Sequence, residues 1–336
     1  MQIGVYSIGD RTADPHTGRR PTEREKLQSV VRIAEHAEDA GFDVFALGEH
    51  HLPPYASSAP VPILAYVAAR TRRILLSTAA TLITTGDPVR IAEDYATLHH
   101  LADGRLDLLL GRGASGPVYP LFGRDLRDSY QLAAENYALL RRLWTEHDVD
   151  WTGEFRTPLR AFTAVPRPLD DAPPFVWHAA VASEQTADLA ARHGDGLFAM
   201  HLFWPWQHTA SLVGHYRQRF AEHGHGRPDQ AIVGLGGQVF VRPRSQDAIE
   251  EFRPYFAGAG YGPSSLEEHM RQTPVAVGSP QQIVDKVLGF RDYVGDYQRQ
   301  LFLIDHAGLP EKTVLEQLDL LGAEVLPVLR RAARVP

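Results

Sequence analysis

Eight times along this chain a short apolar run bounded by glycine or polar residues gives way to a longer amphipathic run, and few folds can use that rhythm. The apolar runs predict strands at 3–8, 43–48, 74–82, 106–110, 175–179, 196–200, 232–241 and 300–305. The amphipathic runs predict helices at 22–40, 61–70, 88–101, 128–145, 183–192 and 205–222, a split segment at 246–256 and 280–293, and 311–332. Several of these open on Pro or on a Ser, Thr or Asp cap and stop at glycine, as at Gly41, Gly104 and Gly194. Consecutive βα units in this number favour a closed α/β fold, a (β/α)8 TIM barrel, over the competing doubly wound open sheet. The whole chain, 1–336, reads as one barrel domain with insertions at about 151–174 and 258–278, where Pro, Gly and Ser break the rhythm; both are expected to form loops over the site.

Composition narrows the function. The net charge of −7 is spread along the chain, so no basic face is available for nucleic acid. With 44% hydrophobic residues the chain can build a substantial core. The absence of cysteine excludes disulfides, thiolate metal sites and thiol nucleophiles. Residues 1–7 read as a strand rather than a leader, and no apolar stretch approaches the roughly 20 residues of a membrane helix. The expectation is a cytoplasmic protein that uses neither membrane nor nucleic acid.

In a barrel the chemistry sits at the carboxyl ends of the strands. The predicted ends carry Tyr6, the run Gly48-Glu49-His50-His51, Ala79-Ala80-Thr81, Gly111-Arg112-Gly113, His178, His201, Gln238 and His306. Arg112 lies between two glycines, so the backbone can approach a ligand while the guanidinium offers a fork of donors; a plain turn with a surface arginine is the competing reading. Ser183 opens a helix and Thr186 follows one turn later, which suits an anion, although a simple helix cap explains Ser183 as well. His50 and His51 are adjacent and point to opposite sides of an extended segment, which argues against a shared metal; none is expected.

At these same residues the chain resembles the bacterial luciferase-like flavin-dependent monooxygenases. The resemblance is carried by GEHH at 48–51, TAA at 78–80, DPVRIAEDYATL at 87–98, DGRLDLLLGRG at 103–113 and Phe122-Gly123. It implies a bound flavin mononucleotide (FMN) used in reduced form with dioxygen on a small organic substrate. It further implies that His50 stands beside the flavin as the catalytic proton-handling group and that Ala79 and Ala80, matching a pair of small residues often joined by a cis peptide, back the ring. Arg112, Gly113, Ser183 and Thr186 would hold the phosphate. Tyr6, Tyr119, His178, His201, Trp204 and His306 are expected, from position, to contact the substrate. Relative to the luciferase α subunit, Gly111 replaces a cysteine and Ala182 an acidic residue, so neither light emission nor a long-chain aldehyde is implied. The segment IDHAGLP at 304–310 is similar to single-chain members, which suggests a homodimer, and a separate flavin reductase is a possible partner. Two alternatives stay open: hydride transfer with 8-hydroxy-5-deazaflavin, and a non-catalytic flavin-binding protein.

Overall fold

The structure, a computed structural model, describes residues 1–200, 204–259 and 264–332. Eight parallel strands form the wall: β1 Gln2–Ser7, β2 Val44–Leu47, β3 Leu75–Thr78, β4 Asp107–Gly111, β5 Phe175–Ala180, β6 Gly196–Ala199, β7 Val233–Val241 and β8 Arg299–Leu303. They run in the order β3-β2-β1-β8-β7-β6-β5-β4, so the predicted barrel is present. Its last seam, between β3 and β4, is closed unusually. Leu76 bridges Leu106, the Thr78 hydroxyl then donates to the Leu109 carbonyl at 2.7 Å and accepts from the Leu109 amide at 3.0 Å, and pairing resumes where Thr81–Leu82 meets Leu110 and Gly111. Between these rungs lies a cis peptide joining Ala79 and Ala80.

Alternation along each strand divides the core in two. Inside the barrel pack Tyr6, Val44, Ala46, Ala79, Leu109, Trp177, Phe198, Leu301 and Leu303. Between wall and helices lies a larger apolar layer from residues such as Ile3, Val5, Phe45, Leu108, Val176 and Leu235. The helices include α1 Glu23–Asp39, α2 Pro60–Arg70, α3 Pro88–Leu101, α4 Ser129–Thr145, α5 Glu184–His193, α6 Trp206–Glu222, α7 Ser245–Gly258, α8 Leu266–Gln272, α9 Pro280–Gly289 and α10 Glu311–Leu320. Their starts follow their caps. Thr22 and Glu25 form a reciprocal capping box on α1, Asp87 accepts the Val89 amide above the Pro88 that opens α3, and Ser183 accepts the Thr186 amide on α5.

Both insertions are more ordered than the sequence suggests. Residues 151–174 do not form a loop over the site: Val149–Trp151 and Leu159–Phe162 pair as an antiparallel hairpin strapped to the outside of α3 and α4. Ion-pair and amide chemistry holds it there. The Glu135 carboxylate accepts the amides of Glu154 and Phe155, Arg156 pairs with Asp87, and the Arg167 guanidinium donates to the carbonyls of Leu143, Trp144 and Glu146 at the end of α4. The glycine-rich segment 258–278 contains α8 and a short strand, Ala276–Gly278, paired with β7; residues 260–263 lie outside the described residues.

Candidate active site

The upper barrel rim between β2 and β5 gathers most of the predicted site. After β2, the Glu49 amide donates to the Ala80 carbonyl, and the Glu49 carboxylate accepts the Leu82 amide at 3.0 Å, which ties the GEHH turn to the cis-peptide segment. A side chain at Gly48 would meet the Ala79 carbonyl at 2.9 Å and His50 Nε2 at 3.3 Å. Glycine there lets the His50 imidazole come up beside Ala79. His50 stacks on Tyr55, ring centroids 4.3 Å apart, while His51 turns away to Glu49 at 2.8 Å, as adjacency requires. Burial and the neighbouring His51 push the His50 pKa down to about 4, so its ring is neutral at pH 7.

On the far side of the cis peptide, a Cβ at Gly111 would stand 3.0 Å from the Ala80 Cβ. The β4 turn can therefore approach Ala80 closely only as glycine. Gly113 follows at φ +80°, the left-handed conformation that releases the turn. The backbone of this turn is fixed by two hydroxyls: Thr84 donates to the Arg112 carbonyl at 2.6 Å, and Tyr119 donates to both the Arg112 and Gly113 carbonyls, at 2.6 and 3.0 Å. The Arg112 side chain donates to Ser129 Oγ at 2.9 Å and lies over the Tyr130 ring at 4.3 Å. No carboxylate reaches ion-pair distance of Arg112 among the described residues. Arg112 and Thr186 line one cavity of about 690 Å³, and Tyr130, Glu184 and Gln185 are shared between it and an adjoining pocket that contains Ser183. Thr186 Oγ1 donates to Ser183 Oγ at 3.0 Å.

Of the described residues expected to contact the substrate, His178 lines the Arg112 cavity, and the others do not. Tyr119 is almost fully buried and spends its hydroxyl on the β4 turn, so it positions Arg112 rather than facing a ligand. His178 lies on the outer face of β5, because its neighbour Trp177 points inward; it packs edge-on against Tyr137 and bonds Asp195 at 3.1 Å, within a buried cluster that also takes in Arg141. Its ring lines the Arg112 cavity from behind. Trp204 is exposed and stacks on His208 at 4.8 Å. His306 is buried beyond β8 near Phe252, with the ring centroids 5.9 Å apart and burial pushing its pKa down to about 4. Tyr6 is fully buried inside the barrel, and His201 lies outside the described residues. Sequence reasoning overlooked Ser129, Tyr130 and Thr84, which hold Arg112. Ser129 was legible only as a helix start, and nothing in the sequence ties Thr84 to a carbonyl 28 positions away.

A description of luciferase-like monooxygenases as a family matches residues 1–297. The chain belongs to the luciferase-like monooxygenase family. Among curated relatives of this luciferase-like protein, the oxygenase component of flavin-dependent trigonelline monooxygenase from Acinetobacter baylyi is 25% identical over 97% of this chain and 95% of its own. An F420-dependent glucose-6-phosphate dehydrogenase from Nakamurella multipartita is 30% identical over 90% and 92%. The protein YwcH of Bacillus subtilis is 30% identical over 62% of this chain, which spans 61% of that relative. Among solved structures, the monooxygenase RslO1 from Streptomyces bottropensis superposes with a TM-score of 0.83 at 23% identity, covering 98% of this chain and 99% of that one. The oxygenating constituent of 3,6-diketocamphane monooxygenase from Pseudomonas putida, solved with FMN, gives 0.78 at 17% identity over 97% and 98%. These last likenesses establish the TIM-barrel fold.

Proposed function

We propose that this luciferase-like enzyme is a flavin-dependent monooxygenase that holds reduced FMN with its phosphate at Arg112, Gly113, Ser183 and Thr186 and its ring along Ala79 and Ala80. The single observation that carries the proposal is Arg112, an arginine with no carboxylate partner among the described residues that shares a cavity with the first turn of α5. A guanidinium without a carboxylate partner beside the first turn of a helix and its Ser and Thr hydroxyls suits an anionic phosphate. The cis Ala79–Ala80 segment and Gly111 supply a surface without bulky side chains next to it, suited to a flat ring.

In such an enzyme the reduced flavin supplies the electrons that activate dioxygen. The residues of this chain bind, orient and exclude water. His50, neutral at pH 7, is placed to accept a proton beside Ala79, and Glu49 fixes the turn that presents it. Likeness to an oxygenase component favours reduced flavin arriving from a separate reductase, with dioxygen and a small organic molecule as co-substrates. A cytoplasmic homodimer remains part of the same proposal; no helix among the described residues is long and apolar enough to cross a membrane.

One observation favours a second reading. The F420-dependent relative aligns over 90% of this chain, and an F420-dependent secondary alcohol dehydrogenase superposes at TM-score 0.75, so a deazaflavin could occupy the same groove. Titrating anaerobic protein with reduced FMN and with reduced 8-hydroxy-5-deazaflavin cofactor, followed by admission of oxygen, separates the two. Tight FMN binding with oxygen consumption supports the proposal; tight binding of the deazaflavin alone replaces it.

A further inference from the structure

Inside the barrel, one buried polar side chain has no hydrogen-bond partner for either of its polar atoms. Gln238 is fully buried near the upper end of β7, and neither its amide nitrogen nor its amide oxygen has a hydrogen-bond partner. Strand register sets its surroundings. Across five neighbouring strands, Ser77, Ala46, Tyr6, Leu303 and Gln238 stand side by side in one row, from β3 through β2, β1 and β8 to β7. Tyr6, Ala46 and Leu303 belong to the interior cluster, so Gln238 shares their inward face.

Below this row the barrel is plugged. A Cβ at Gly234 would collide with the Phe198 ring and one at Gly236 would crowd it, so the two glycines admit that ring as a floor, and Gln238 is the first side chain β7 sends inward above it. Opposite, the wall formed by β3 and β4 presents Ala79, Ala80 and Gly111. Gln238 therefore faces, across the barrel, the side on which the flavin ring is proposed to lie. A carboxamide offers one acceptor and two donors, and burial without partners is unfavourable unless a ligand or water satisfies them.

We infer that Gln238 is a specificity-determining residue that hydrogen-bonds a neutral polar group, a carbonyl or amide, on the substrate held between it and the flavin. This rests on the flavoenzyme reading above. Neutrality follows from the charges. The row around Gln238 carries none, and Asp305, two residues past Leu303, is already bonded to Lys26 at 2.6 Å and to Ser7 at 2.7 Å. Lys26 is thereby neutralised, and no free cation is left in the row to hold a carboxylate.

The test uses purified protein and four probes of equal ring size: cyclohexanone, 2-piperidone, cyclohexane and cyclohexanecarboxylate. Binding is read by calorimetry with and without FMN, in wild type, Gln238→Leu and Gln238→Met. The expected result is that the ketone and lactam bind wild type at least tenfold tighter than the hydrocarbon and the carboxylate. Both variants should lose that preference while their FMN dissociation constants stay within twofold of wild type. Because a partnerless amide is removed, both variants should melt at or above the wild-type temperature. Preference for the carboxylate, no binding by any probe, or an unchanged lactam affinity in both variants overturns the inference. Failure of wild type to bind FMN overturns the flavoenzyme reading instead, and is seen separately in the same titrations.

Discussion

The Tyr119 hydroxyl donates to two successive carbonyls, those of Arg112 at 2.6 Å and Gly113 at 3.0 Å, and so fixes the turn from which the Arg112 guanidinium projects. Tyr119→Phe removes both bonds; the Gly113 carbonyl at this partly buried turn loses its donor, while the Arg112 carbonyl keeps only Thr84. The expected loss is about 1–3 kcal/mol of stability, with FMN affinity falling several-fold although Tyr119 never touches the cofactor. Thermal melts and flavin titration of the variant check both.

Arg112 itself should matter more. Arg112→Ala is expected to raise the FMN dissociation constant at least tenfold, since a charge-assisted phosphate contact contributes about 1.5–3 kcal/mol. Arg112→Lys keeps the charge but loses the fork and the stacking on Tyr130, so it should recover only part of the affinity. Riboflavin, which lacks the phosphate, serves as the control: its affinity should be nearly the same in all three proteins.

His50→Ala should leave FMN binding nearly intact and slow turnover. The pH dependence has a definite sign. With its folded pKa lowered to about 4, His50 is neutral and able to accept a proton throughout the neutral range, so its acid limb in a turnover profile belongs near 4 rather than near 6.5. The unfolded chain binds a proton at this residue that the folded protein does not between about 4 and 6.5. Stability therefore falls as pH drops through that window, and His50→Asn should flatten the fall. A wild-type limb near 6.5 that vanishes in the variant would contradict the assignment of a buried neutral ring.

At the opposite end of the barrel, Glu38 closes α1 onto the turn before β3. Burial alone would raise its pKa, but the amides of Ile74, Arg73 and Arg72 donate to its carboxylate and hold the value below 4.5. Its contribution is then full above pH 4.5 and is lost as pH falls through the lower folded value. Glu38→Gln should cost about 1–3 kcal/mol at pH 7 and progressively less in acid, measured by urea unfolding across pH. Activity per folded molecule should not change, since Glu38 lies far from the rim.

The barrel was legible because strand and helix periods alternate with caps in place, and those signals are local. The residues proposed to hold the phosphate stood out for the same reason: Arg112 between glycines and Ser183 at a helix start carry their chemistry in their immediate neighbours. What eluded the sequence depends on long-range pairing. His178 faces the helices because strand parity puts Trp177 inward, and a shift of one position would have reversed them. Residues 151–174 look like a loop because their prolines and polar residues hide a hairpin fastened by side-chain bonds to α3, α4 and the β4 loop. Tyr119, an aromatic near a ligand site, gave no sign that its hydroxyl was already spent on the backbone.

The seam closed by the Thr78 hydroxyl has its own consequence. Everywhere else neighbouring staves of the wall are laced by main-chain rungs, but between the third and fourth staves one side-chain oxygen stands in for a rung by both giving and taking a proton. A valine there has the same outline and neither function, so it would leave the joint with only its main-chain rungs at Leu76–Leu106 and at Thr81–Leu82. It lies directly beneath the two alanines, and any loosening of the joint would be felt first as widening of the slot above it.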